Sequence, residues 1–217
     1  NDDGCTPLSE TMYEAHQYLS GGPVTHGVNS RRWPGTRSGV DGAQPSIPTS
    51  RQATDQRLYE SPLTVSCQRN FIVLLSDGAP TGDNASDTAI QGLTGATCTG
   101  TGSGRCLEEI AQYMYENDLR PSLAGMQNVT TYTIGFDLGA NSAATTALRN
   151  TAAGAGGVFY EASDTATLST VLTQIVRTIL DFNTSFTAPA VSVNAFNRTQ
   201  NLNDLYVTVF KPSDTFA

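Results

Sequence analysis

The hydrophobic residues of this chain form runs and stripes that alternate along the sequence. The apolar run Phe71–Leu75 predicts a parallel strand buried on both faces, and Val129–Phe136 predicts a second strand. Near the start of the chain, apolar residues recur every three or four positions, which predicts a helix with one buried face. That stripe consists of Leu8, Met12, Ala15 and Leu19.

Later stripes continue this alternation. One predicted helix carries Leu107, Ile110, Ala111 and Met114 and ends at Asn117; another starts at Asn141 or Ser142 and runs to about Ala153. A short strand at Val158–Tyr160 follows. Ser163 or Asp164 then caps the longest helix, which has the stripe Leu168, Val171, Leu172, Ile175 and Ile179. Helices alternating with strands predict an α/β fold with a parallel sheet.

The character of the sequence changes after Phe182. Residues 190–195 and 205–210 read as two strands joined by an Asn-rich loop, a pattern typical of an antiparallel extension. We therefore predict a domain over residues 1–182 and, over residues 183–217, a β-rich linker towards a downstream domain.

A long insertion, residues 21–66, interrupts the domain between the first helix and the first strand. It contains Pro34, Pro45, Pro48 and Pro62, and no stripe of either period. Long segments of this kind are usually functional or disordered. The only tryptophan, Trp33, follows two arginines there, so it either pins the loop to the body or serves as a recognition anchor.

Two oxygen-bearing residues stand where ligands can bind. Asp77 comes directly after the strand Phe71–Leu75 and Ser76, at the carboxyl end where open α/β sheets bind ligands, although Asp-Gly is also a common turn. Thr6, followed by Pro7, reads as the N-cap of the first helix. A threonine hydroxyl and an aspartate can also share a hard divalent cation.

These residues carry a resemblance to a known family. Thr6-Pro7-Leu8 and Ser76-Asp77-Gly78 resemble the second and third loops of a von Willebrand factor A domain. The resemblance implies a three-layer, Rossmann-like fold and a metal-ion-dependent adhesion site in which Thr6 and Asp77 bind Mg²⁺. The family's first loop, Asp-x-Ser-x-Ser, does not occur in the sequence. We therefore expect a domain incomplete at its N-terminus, with strands of the same protein supplied from elsewhere. The metal site should likewise be incomplete in this chain, and empty or weakly occupied by Mg²⁺.

A wider resemblance covers most of the chain. The segments 5–15, 67–78, 128–136, 188–199 and 205–212 are similar, in this order, to the PilY-type proteins of bacterial type IV pili. This likeness implies a pilus-associated adhesin or biogenesis factor whose partners are minor pilins and a host or abiotic surface. It also implies export to the pilus tip, cell surface or outer membrane of a bacterium. The alternative is a structural spacer at a pilus tip with a vestigial metal site.

Composition agrees with export and limits the partners. The formal net charge is −8 with a single lysine, Lys211, so we expect no nucleic-acid partner. No apolar run approaches the ~18 residues that can span a bilayer. We find no signal-peptide pattern at Asn1, which suits a mature or internal fragment.

Four cysteines allow several pairings. Cys98 and Cys106 enclose a flexible Gly-rich loop and are candidates for a disulfide, whereas zinc binding would need closely paired cysteines or nearby histidines. Cys5 and Cys67 are expected at opposite edges of the sheet. They should therefore be free or pair outside this sequence, unless the insertion doubles back.

The sequence gives little support for an enzymatic function. Gly100, Gly102 and Gly104 do not have dinucleotide-binding spacing, and neither a P-loop lysine nor a Gly-x-Ser-x-Gly elbow occurs. His16 and His26 have no neighbouring ligand or nucleophile pattern. Asp83 and Asp87 are expected to be solvated. We therefore predict a binding domain rather than a catalyst.

Overall fold

The computed structural model describes residues 6–28, 48–66, 68–140, 142–183, 186–191 and 205–210. The expectations for Cys5, Cys67 and Trp33 fall outside these residues.

Three parallel strands form the main sheet. They are β1 (Asn70–Ser76), β2 (Val129–Phe136) and β3 (Phe159–Ala162), in the order β1-β2-β3. The β1–β2 register runs from Asn70 opposite Val129 to Ser76 opposite Gly135. The chain therefore has a mixed α/β fold, and the strand predicted at Val129–Phe136 is confirmed with its bounds.

Five α-helices, two short 3₁₀ helices (His26–Val28 and Pro48–Ser50) and a strand pair complete the described structure. The helices are α1 (Leu8–Ser20), α2 (Asp87–Thr94), α3 (Leu107–Glu116), α4 (Ser142–Gly154) and α5 (Thr165–Asn183). An antiparallel pair joins β4 (Phe186–Val191) to β5 (Leu205–Phe210). Over the described residues, every helix is too short or too polar to cross a membrane.

The chain divides into two compact units, residues 1–168 and 169–217. This division falls inside α5, whereas the change in sequence character suggests a boundary at residue 182. The first unit holds the three-stranded sheet and α1 to α4, and the second holds most of α5 and the β4–β5 pair.

One hydrophobic cluster of the first unit lies on one face of the sheet. Tyr132 and Ile134, on the opposite face of β2, are also buried. Leu74 of β1 and Val129 of β2 belong to one buried cluster with residues of α1, α2, α3 and α4. The helical members are Leu8, Met12, Ile90, Leu107, Ile110, Ala111, Met114, Ala144 and Leu148. The stripe predicted for the helix after residue 106 therefore faces the core, as do Leu8 and Met12 of the first stripe; Leu19 packs against the cluster and Ala15 is only half-buried.

Burial of β1 on both faces is wrong. Leu74 is buried, but its neighbours Val73 and Leu75 are 40% and 49% exposed. The strand lies at an edge of the described sheet, and only the side of β1 that carries Leu74 packs against the core cluster. An apolar run gives the strand but does not reveal how many faces are covered.

The segment between β1 and α3 contains a helix, α2, that the apolar stripes of the sequence do not predict. This helix has eight residues, begins after Ser86 and ends at Gly95, which adopts the left-handed conformation (φ 68°). Gly92, in the interior of this helix, makes helix formation less favourable by about 1 kcal/mol than alanine would. Burial of Ile90 in the core cluster compensates.

A disulfide joins Cys98 to Cys106, with their Cα atoms 4.8 Å apart. Cys106 directly precedes α3 and is fully buried. Thr99 lies in the enclosed loop. Its backbone N–H (2.6 Å) and its hydroxyl (2.8 Å) both donate hydrogen bonds to Glu109 of α3. The bridge therefore fastens this loop to the start of α3.

Removing this bridge should destabilise the domain. We expect the double variant Cys98→Ala/Cys106→Ala to lose about 2.5 kcal/mol of unfolding free energy, because a closed loop of eight or nine residues restricts the unfolded chain. Urea unfolding with and without reductant measures this loss. An equal midpoint for the oxidised protein and the double variant would contradict a stabilising bridge.

Candidate metal centre

Asp77 lies at the carboxyl end of β1 with its carboxylate exposed. Its turn is held by the preceding residue, because the Ser76 hydroxyl donates to the Gly78 carbonyl (2.8 Å) and accepts from the Gly78 N–H (3.4 Å). Toward the described residues, the Asp77 carboxylate makes no hydrogen bond and no ion pair. The turn therefore does not use this side chain.

Thr6 lies beside the loop that follows Asp77. Its N–H donates to the Thr81 carbonyl (3.0 Å) and hydroxyl (3.1 Å), and the Thr81 N–H donates back to the Thr6 carbonyl (3.4 Å). Thr81 is four residues beyond Asp77, so this two-stranded bridge brings the start of α1 to the carboxyl edge of β1. The Thr6 hydroxyl forms no hydrogen bond with the part of the chain that is described.

The expectation that Thr6 caps α1 is wrong. Pro7 precedes the first helical residue and contributes no side-chain cap. The cap comes from a distant carboxylate instead. Asp83 Oδ2 accepts from the Ser9 N–H (2.7 Å), and Asp83 Oδ1 accepts from the Glu10 N–H (3.1 Å).

The capping is reciprocal. Glu10 Oε1 accepts a hydrogen bond from the Ala85 N–H (2.7 Å), so α1 supplies an acceptor to the loop that caps it. Both Glu10 and Asp83 are almost completely buried. As in a capping box, helix amides and an amide outside the helix are satisfied reciprocally, here by residues more than 70 positions apart.

Solvation of Asp83 and Asp87 is also wrong, since both are buried. Burial raises the pKa of Asp83, the hydrogen bonds from the Ser9 and Glu10 backbone lower it, and the charge of Asp87 raises it again. Asp87 pairs with the Arg105 guanidinium at 2.6 Å. Each carboxylate therefore has backbone donors or a cation as compensation for its burial.

His26 links the insertion to the same loop. Its Nε2 lies 2.6 Å from the Ser86 hydroxyl, and both side chains are buried. Glu14 of α1 accepts hydrogen bonds from the His26 N–H (2.8 Å) and the Tyr59 hydroxyl (2.5 Å), which holds two parts of the insertion against α1. This position gives His26 a structural contact with Ser86.

His16, the other histidine, is buried on α1. Its ring lies 6.3 Å from that of Tyr13 and 5.7 Å from that of Tyr113, which belongs to α3. Burial lowers the pKa of His16 to about 4. The ring is thus held in its neutral form between two aromatic side chains.

The chemistry of Thr6 and Asp77 suits a hard cation. A hydroxyl and a carboxylate are oxygen ligands, and Mg²⁺ in proteins usually combines one or two carboxylates with several waters. Over the described residues, no group of three or more His, Cys, Asp and Glu side chains is placed to hold a metal ion. The two residues could therefore supply part of a coordination shell, and metal binding stays a prediction.

Sequence reasoning missed the residues that hold this region together. Glu10, Asp83 and Ser86 show no local motif, because their partners are 60 to 75 positions away. The sequence offers one signal, a second carboxylate, Asp83, in the loop that follows the apolar run Phe71–Leu75. Its hydrogen bonds to α1 could not be read from spacing.

Comparisons with family models, curated protein sequences and solved structures give no match to this chain.

Proposed function

We propose that this chain is an adhesion domain of the von Willebrand factor A type, in which Thr6 and Asp77 hold a divalent cation that binds an acidic group of a partner. Mg²⁺ is the expected ion, with the remaining positions filled by water, by further oxygen ligands and by the partner. The proposed setting is an exported, PilY-like protein of a type IV pilus that contacts minor pilins and a host or abiotic surface.

One observation carries this proposal. The Thr6–Thr81 bridge sets the start of α1 against the loop of Asp77, and both side-chain oxygens lack protein hydrogen bonds over the described residues. Polar side chains at the carboxyl end of a parallel strand are placed where α/β folds bind ligands. Two free hard ligands on adjoining segments support a shared cation.

The charge of the chain supports a role for the cation in binding. With a formal net charge of −8, the domain would repel an acidic partner at long range. A divalent cation at Asp77 replaces that local repulsion with a direct bond to the partner's carboxylate. Binding should therefore require the metal rather than merely be strengthened by it.

The disulfide supports the proposed location. Disulfides persist in secreted and surface proteins and are rare in reducing compartments. The Cys98–Cys106 bridge closes a loop next to the buried start of α3, which suits a protein that works outside the cell.

The test measures how strongly the protein attaches to a surface under flow, once in Mg²⁺ and once in EDTA. We expect Asp77→Asn and Thr6→Ala to abolish the Mg²⁺-dependent part of attachment, because each removes a ligand oxygen or its charge. Asp55→Asn changes the same charge at an exposed site in the insertion and should leave attachment unchanged. Wild-type attachment that is equal in Mg²⁺ and EDTA, and equal to that of Asp77→Asn, would reject the adhesin and favour the spacer.

A further inference from the structure

The loop after β1, residues 77–86, is fastened to α1 by two carboxylates that accept backbone amides. Asp83 receives the amides of Ser9 and Glu10, and Glu10 receives the amide of Ala85. We call this reciprocal pair the Asp83–Glu10 clamp. It spans α1 and the loop, which are the two segments that carry the proposed ligands.

We propose that Asp83 and Glu10 are positioning residues that set the affinity of the Thr6–Asp77 site for a divalent cation. This inference rests on the proposed function, since it concerns the same site. It adds that the affinity depends on two buried carboxylates that do not contact the ion.

Short stretches of chain connect the clamp to the proposed ligands. Thr6 lies three residues before Ser9 on one side, and Asp77 lies six residues before Asp83 on the other. The Thr6–Thr81 bridge is the described backbone contact between the two segments before the clamp. If the clamp opens, the loop of Asp77 loses the hydrogen bonds that its residues Asp83 and Ala85 make with α1, and the exposed bridge is the backbone contact that remains between the two segments.

The clamp is also held from the far side. The Asp83 carbonyl accepts a hydrogen bond from the Gly104 N–H at 2.8 Å, in the loop closed by the disulfide. A Cβ atom at Gly104 would lie 2.5 Å from Pro80 Cγ and 3.0 Å from Asp83 Oδ2, so the glycine permits this close approach. Asp83 thus joins α1, the loop of Asp77 and the disulfide loop.

The energetics favour a rigid loop. Charge-assisted hydrogen bonds from backbone N–H groups to a buried carboxylate are among the stronger ones, and their loss leaves buried groups unsatisfied. Residues that orient metal ligands without touching the metal typically change metal affinity by about 10- to 100-fold when they are replaced. We expect an effect of this size from the clamp.

The experiment measures Mn²⁺ affinity of the full chain by the loss of the free-ion electron paramagnetic resonance signal. Asp83→Asn and Glu10→Ala should weaken binding about 10- to 100-fold. Glu10→Gln keeps a carbonyl for the Ala85 amide and should restore most of the affinity. Asp77→Asn removes the proposed ligand and should abolish binding.

The control is a carboxylate with a similar task elsewhere. Asp118 Oδ1 accepts the amides of Arg120 (3.0 Å) and Gln127 (3.2 Å) between α3 and β2. Asp118→Asn therefore removes the charge from a comparable pair of hydrogen bonds, which weakens them without touching the clamp. It should lower thermal stability and leave Mn²⁺ affinity unchanged.

Hydrogen exchange separates the possible failures. Opening of the clamp should speed exchange at the Ser9, Glu10 and Ala85 amides in Asp83→Asn, but not in Asp118→Asn. Mn²⁺ binding that Asp77→Asn abolishes and Asp83→Asn and Glu10→Ala leave intact would overturn the positioning role alone. Wild-type protein that binds no Mn²⁺, or binds it equally without Asp77, would overturn the proposed function and the inference built on it.

Discussion

Replacing Gly157 with alanine should cost about 3 kcal/mol or more of unfolding free energy. A Cβ atom at this position would collide with the Thr131 carbonyl oxygen and lie 2.6 Å from the carbonyl carbon. Thr131 belongs to β2, the central strand of the described sheet, so the backbone there cannot move without disturbing both β1 and β3. The turn into β3 has no room for a side chain.

Gly92 provides the matched control. It lies inside α2, and a Cβ atom there would meet nothing within 4 Å. Gly92→Ala should stabilise the protein by about 0.5–1 kcal/mol, because alanine loses less backbone entropy in a helix. Urea unfolding followed by circular dichroism compares the two variants. A Gly157→Ala midpoint equal to that of the wild type would show that the close approach to Thr131 is wrong.

Acidification should weaken the fold through His16, by about 3 kcal/mol between pH 7 and pH 4. The pKa of His16 falls from 6.5 to about 4 on burial, so the unfolded chain takes up this proton before the folded one does. The stability that the neutral His16 ring contributes therefore drops as the pH falls below 6.5, and this loss levels off below about pH 4. The contribution is complete above pH 6.5, where the ring is neutral in both states.

The variant His16→Gln isolates this effect from the other titrating groups. It cannot gain the imidazole proton, so its stability relative to the wild type should improve by about 3 kcal/mol from pH 7 to pH 4. Denaturant unfolding at several pH values measures the difference between the two proteins. Two curves that stay parallel over this range would mean that burial of the ring does not govern its protonation.

Periodicity predicted the elements that contact the core through their own regularly spaced apolar residues. Val129–Phe136 was found with its bounds, and Leu8 and Met12 face the core as their spacing indicates. The same reasoning failed for β1, because the apolar residues Val73 and Leu75 look identical in sequence whether or not another layer covers them. Local pattern gives the strand, and the surroundings give its burial.

The candidate site shows the same division between local and distant information. Asp77 could be placed at a strand end from the run before it, and Thr6 could be placed at the start of a helix. The sequence near Thr6 could not show whether Thr6 caps α1, because the side chain that does so, Asp83, lies more than 70 residues further along the chain. Asp83 looked like a solvated loop residue because the amides it receives belong to another element.

The most direct test of the account is to locate a bound Mn²⁺ ion by nuclear magnetic resonance on the full chain. Mn²⁺ replaces Mg²⁺ at oxygen sites and broadens the resonances of nearby amides. We predict broadening at Thr6, Asp77 and Gly78 at low Mn²⁺ concentration, reversed by EDTA and absent in Asp77→Asn. Asn70 at the start of β1 and Gln127 before β2 should be unaffected. Broadening centred on other residues, or equal broadening in Asp77→Asn, would contradict a cation shared by Thr6 and Asp77.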